Sequence, residues 1–184
     1  MTPTKYLFVI LLGTLASVSH ADFPTVASAL PSITIEDRGE ILLYEDEYRY
    51  APWYSHTNPG TVHIVQYLAG TLSASKAYRP FTDQVKEQFG FEKCHVTTII
   101  NIDDAMWGTK GFVISEVEAS KREFPHSTMV LDADGSGRKA WELKKKGTAL
   151  AIIDERGNIL FFTDTTMSEA DIEAGLKLIA SEND

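Results

Sequence analysis

The chain has 184 residues with 17 Lys and Arg against 26 Asp and Glu, a net charge of −9 and an isoelectric point near 5.0. Such an excess of acid repels phosphate backbones and argues against a nucleic-acid partner. One cysteine, Cys94, excludes an intrachain disulfide, so stability has to come from packing.

The first 21 residues read as a cleaved signal peptide. Lys5 supplies the positive start, Tyr6 to Ala16 form a short apolar stretch, and Ser19-His20-Ala21 places small residues three and one positions before the cut. That stretch is too short for a bilayer, which takes about 20 apolar residues. Cleavage after Ala21 leaves residues 22–184, a periplasmic protein without a membrane span. The leader carries one base and no acid, so the remainder has a net charge of −10 and the length of one domain.

Alternating apolar residues in Ser32–Glu36 and Glu40–Tyr44 around Asp37-Arg38-Gly39 predict an N-terminal β-hairpin. Tyr50 to Gly60, with two prolines and Trp53, predicts a loop. Thr61 to Leu68 reads as a strand covered on both faces. Ala74, Ala77, Tyr78, Phe81, Val85 and Phe89 then form one helical stripe, kinked at Pro80. A second buried strand is expected over Val96–Ile102, and a helix burying Val113, Val117 and Phe124 follows it. Thr128–Leu131 reads as a strand, Asp132–Gly135 as a turn, and Ala149–Ile153 with Asn158–Phe162 as a hairpin. Ser168 and Asp171 open a last amphipathic helix carrying Ile172, Leu176 and Ile179. The order implies an α/β domain, a central mixed sheet flanked by helices.

Over residues 31–180 this order resembles the thioredoxin-like fold, and more closely its extracytoplasmic redoxin branch. Redoxins carry C-x-x-C at the helix start, then Lys and a later Pro; here Leu72-Ser73-Ala74-Ser75-Lys76 leads to Pro80 with both cysteines replaced. Met129–Gly135 with Ala140-Trp141 is similar to the redoxin segment before the second half of the sheet. Thr148–Asp154 with Gly157 is similar to the strand that begins with cis-proline, with Thr148 in the proline's place. Together with Gln66-x-x-Ala69-Gly70, the chain resembles the exported YtfJ family, which lacks the C-x-x-C motif.

Disulfide exchange needs an attacking and a resolving thiol, and neither Leu72 nor Ser75 supplies one. Activity of the usual C-x-x-C kind is excluded. The reading favoured is a redox-inactive domain that binds a protein partner or small ligand, without a cofactor, at the edge left by the lost active site. That edge comprises Ala69, Gly70, Thr71, Leu72, Ser73, Ser75, Asn101, Asp103, Asp104 and Thr148. Strand ends and a helix start are where open α/β sheets receive ligands. The alternatives are a one-cysteine thiol peroxidase using Cys94 and a structural member of an envelope complex. Asp132, Asp134 and Ser136 reproduce half of a calcium loop, but Leu143 stands where the bidentate Glu belongs, so an ordered turn is expected. His56, His63, His95 and His126 show no metal-ligand spacing.

Overall fold

The computed structural model describes residues 24–56 and 60–183. The signal-peptide reading lies outside them. Seven strands form one sheet, β1 (Thr34–Tyr44), β2 (Glu47–Tyr54), β3 (Val62–Ala69), β4 (Cys94–Asn101), β5 (Thr128–Asp132), β6 (Ala149–Ile153) and β7 (Ile159–Thr163), in the order β2-β1-β5-β4-β3-β6-β7. Strands β3, β4 and β5 are parallel, and β2 with β1 on one side and β6 with β7 on the other make the antiparallel flanks. The helices are α1 (Arg79–Gln88), α2 (Gly90–Lys93), α3 (Lys110–Glu123), α4 (Ser136–Ala140) and α5 (Glu169–Glu182).

The hairpin is present, but its arms are not those expected. Asp37-Arg38-Gly39 does not reverse the chain; β1 continues through it, and the reversal comes at Glu45-Asp46, both at positive φ. Between the pairs Ile35–Trp53 and Glu40–Ala51, four residues of β1 face one of β2. Arg38 and Gly39 lie at positive φ in this bulge, and a Cβ on Gly39 would run into the Ala51 carbonyl. The bulge turns Arg38, Gly39 and Glu40 to pair with Asp132, Leu131 and Val130 of β5. The first part of the expected loop, residues 50–54, is instead strand β2, with Trp53 buried in it. Pro80 does not kink a helix: the chain makes a 3-10 turn at Ala74–Lys76, and Pro80 then sits in the first turn of α1, where its missing N–H costs nothing.

The expected stripe is otherwise kept, with Tyr78, Phe81 and Val85 packed on Ile64, Leu150 and Ile152 of β3 and β6. Helix α5 lies beside α1, and its Gly175 comes so close that a Cβ there would sit 2.9 Å from the Phe81 ring. Helix α3 covers the other half of the same face, packing on Ile41, Met129 and Leu131 of β1 and β5. On the opposite face Val65, Tyr67 and Ile99 pack under Trp53, Trp141 and Leu143. No helix among the described residues is long and apolar enough to cross a membrane.

Candidate functional site

The C-terminal ends of β3, β4 and β5 meet at one edge, and the turn after β3 is held tightly against the end of β4. Gly70 N donates to the Asn101 carbonyl at 2.8 Å, and a Cβ at Gly70 would stand 2.8 Å from that oxygen. Only glycine permits this approach. The turn's hydroxyls serve its own backbone: Thr71 Oγ1 accepts from Ala74 N at 3.3 Å, and Ser75 Oγ donates to the Leu72 carbonyl at 2.9 Å. Ser73 makes no side-chain capping bond, and Leu72 projects into solvent, 77% exposed.

The three polar residues at the end of β4 and just beyond it separate into two roles. Asn101 is wholly buried; its Nδ2 donates to Asp104 Oδ2 at 2.9 Å and its Oδ1 accepts from Asp103 N at 3.0 Å. Asp104 Oδ2 also accepts from Lys146 N at 2.9 Å, tying the approach to β6 to this edge, while its Oδ1 is buried without a partner. Asp103 instead points outward to Lys110, 3.9 Å away. Thr148 Oγ1 accepts from the Tyr78 hydroxyl at 3.2 Å, whose pKa is pushed up to about 12, chiefly by burial. The Gly147–Thr148 peptide is trans, since no described bond is cis.

Around Asp132 every acceptor is engaged. Oδ1 accepts from Ser136 N at 2.9 Å, and Oδ2 accepts from the Tyr67 hydroxyl at 2.6 Å and Gly137 N at 2.9 Å. Asp134 Oδ1 accepts from Ser136 Oγ at 2.6 Å. Burial raises the Asp132 pKa against the opposing pull of these donors. Among the described residues no three His, Cys, Asp or Glu side chains are arranged to hold a metal.

Cys94 is buried, 3% exposed, and burial pushes its thiol pKa up to about 12. Reactive thiols are exposed and shifted the other way. Nearby, on the face away from α1 and α3, His63 Nε2 meets Thr97 Oγ1 at 2.7 Å and His95 Nε2 meets Thr128 Oγ1 at 2.9 Å. The two rings stand 5.1 Å apart edge to face beside a cavity of about 240 Å³ that Glu40 also lines. The sequence spacing of these residues gives no hint of that ladder, because it runs diagonally across three strands.

The sequence reading also missed a trough of about 1000 Å³ on the sheet face between α1 and α3. Its floor is Gln66 with Val96, Thr98 and Ile100 of β4, and Cys94 closes its lower end. Ala69 to Leu72 and Ser75, of the expected edge, form its upper rim, whereas Asn101, Asp103, Asp104 and Thr148 do not line it. Leu72, Phe91, Met106 and Phe112 line it while each more than half exposed. Those exposed apolar residues were the available sequence signal, since Phe112 lies off the stripe that packs α3 and Met106 stands in the loop before that helix.

Among solved structures, the chain is similar to one from Chlorobium tepidum assigned as thiol:disulfide interchange protein DsbE, at TM-score 0.60 and 16% identity, covering 88% of this chain and 99% of that one. A thiol peroxidase from Chromobacterium violaceum matches at TM-score 0.56 and 12% identity, over 89% and 90% of the two chains. At such identities these likenesses show the thioredoxin-like fold alone. An uncharacterized protein of Haemophilus influenzae is 33% identical over 95% of this chain and 96% of its own length. The uncharacterized protein YtfJ of Escherichia coli is 29% identical over 97% of both. The sequence profile described as bacterial protein of unknown function (YtfJ_HI0045) matches residues 25–182, and the chain therefore belongs to the YtfJ family.

Proposed function

We propose that this protein is a redox-inactive thioredoxin-like binding module of the periplasm, whose ligand site is the sheet edge at Ala69–Ser75 and the trough opening beneath it. The carrying observation is the state of the thiol chemistry. The positions matching the C-x-x-C motif are an exposed Leu72 and a Ser75 bonded to its own turn, and Cys94 is buried with its pKa raised to about 12. A thiol with that pKa is almost wholly protonated at neutral pH and is a poor nucleophile. What remains is a preformed concave surface of the size and apolar character that ligand sites have.

The test is peroxide and disulfide turnover by the purified protein beside its Cys94→Ser variant. Both are expected to be equally silent. Turnover abolished by the substitution would make Cys94 a catalytic thiol and overturn the reading. Recovery of the protein from the periplasmic fraction with Asp22 as its first residue checks the location.

A further inference from the structure

The trough between α1 and α3 has a width, a length and a polar lining that together select one kind of occupant. Helix α1 packs over β3 and β6, and α3 packs over β5 and β1. In the order β1-β5-β4-β3-β6 their axes are three strand spacings apart, about 14 Å. Helices in contact stand about 8–10 Å apart. The surplus is about 5 Å, room for one extended chain and not two. Its floor follows the eight residues of β4, about 25 Å at the rise of a strand, longer than the roughly 15 Å of hydrocarbon in one membrane leaflet.

An extended peptide would match that width but not that floor. From Thr97 to Asn101, β4 is hydrogen-bonded on one side to β3 and on the other to β5, so it offers a visiting backbone no free N–H or C=O. The polar side chains at the centre, Gln66 and Thr98, bond each other at 2.7 Å. A peptide laid there would bury unsatisfied amides, a cost a hydrocarbon chain does not carry.

The two ends differ. The lower end is bridged by Phe91 stacked on His126 with ring centroids 4.0 Å apart, and by Lys86 Nζ 4.5 Å from the centre of the Phe124 ring. The upper end is open, and there Lys76 and Arg79 line the trough with no hydrogen bond or ion pair to another described side chain. Asp83, Glu116 and Glu123 stand on the walls below and repel an anion from the interior. We infer that the trough binds one free long-chain fatty acid, with its hydrocarbon on the β4 floor and its carboxylate at Lys76 and Arg79. The inference rests on the binding-module reading above and names its ligand class.

The experiment titrates the purified protein with cis-parinaric acid and follows its fluorescence, then displaces it with oleate or oleyl alcohol. A saturable rise at one probe per chain, reversed by oleate, is expected. Replacing both mouth cations, Lys76→Glu with Arg79→Glu, should weaken oleate by about tenfold or more and leave oleyl alcohol unchanged. Thr98→Trp, which fills the floor, should abolish both; if that variant does not fold, the surface pair alone decides. No saturable binding by the wild type, equal weakening of acid and alcohol, or stronger displacement by an apolar nonapeptide than by oleate each overturns the assignment. Such a failure beside silent turnover assays would remove the fatty acid and leave the redox-inactive reading standing, whereas thiol turnover would remove that reading itself.

Discussion

Asp132 shows how much one side chain can carry when it ends a central strand. Its two oxygens hold the Tyr67 hydroxyl and the Ser136 and Gly137 amides, and Tyr67 Oη accepts in turn from Arg138 N at 3.0 Å. That network fixes the start of α4, whose Gly137 lies against Tyr67 so closely that a Cβ would stand 2.7 Å from the ring. Asp132→Asn puts an amide donor where an acceptor faces donors, so one buried group must lose its partner. The expected loss is about 2–3 kcal/mol, read as a lower urea midpoint at unchanged slope; an unchanged midpoint would refute the assignment. The sequence showed Asp132-x-Asp134-x-Ser136 as oxygen-rich and favoured an ordered turn, as the bonding has it. It could not show that Asn101 and Asp104 lock each other below the surface while Asp103 faces out, because neighbours in a loop carry no period from which to read direction.

Among the elements, those with a sustained period were legible and those decided by long-range pairing were not. The stripe on α1, the strands β3 and β4 and the β6–β7 hairpin follow from their patterns. The alternation across Ser32–Tyr44 was equally clear, yet a turn signal and a bulge signal share the residues Asp37-Arg38-Gly39; only the pairing with β5 decides between them. At α5 the local signal sufficed. Ser168 Oγ accepts from Asp171 N at 3.2 Å, and Asp171 Oδ2 accepts from Ser168 N at 2.8 Å, a reciprocal capping box. Ser168→Ala removes one half of it and should lower stability by about 1 kcal/mol, seen as a fall of several degrees in Tm with the helical circular-dichroism signal of the folded state unchanged. Wild-type Tm in the variant would mean that the box contributes nothing beyond the packing of Ile179.

For the whole molecule, the buried histidine ladder makes folding depend on pH in a direction that can be worked out. His63 is 3% exposed, its Nδ1 has no partner, and burial, then the neighbouring His95, lowers its pKa from 6.5 to about 3. The unfolded chain therefore binds a proton below pH 6.5 that the native protein refuses until near pH 3. Stability is full above 6.5 and is lost as pH falls through that window, by up to about 1.4 kcal/mol per pH unit for this one group. His95, also lowered by burial and by Lys121, adds in the same direction. Glu40, raised by burial against Lys121, acts oppositely: its native form keeps a proton above 4.5 that the unfolded chain releases, so its contribution falls as pH rises. The net curve mixes these groups, and a difference between two proteins separates them. Tm of the wild type should drop steadily from pH 6.5 to 4, and His63→Gln, which cannot titrate, should show a flatter line over the same range whatever its absolute Tm. Parallel lines would mean that His63 is protonated in the native state, and that the cavity beside it admits enough water to solvate the charge.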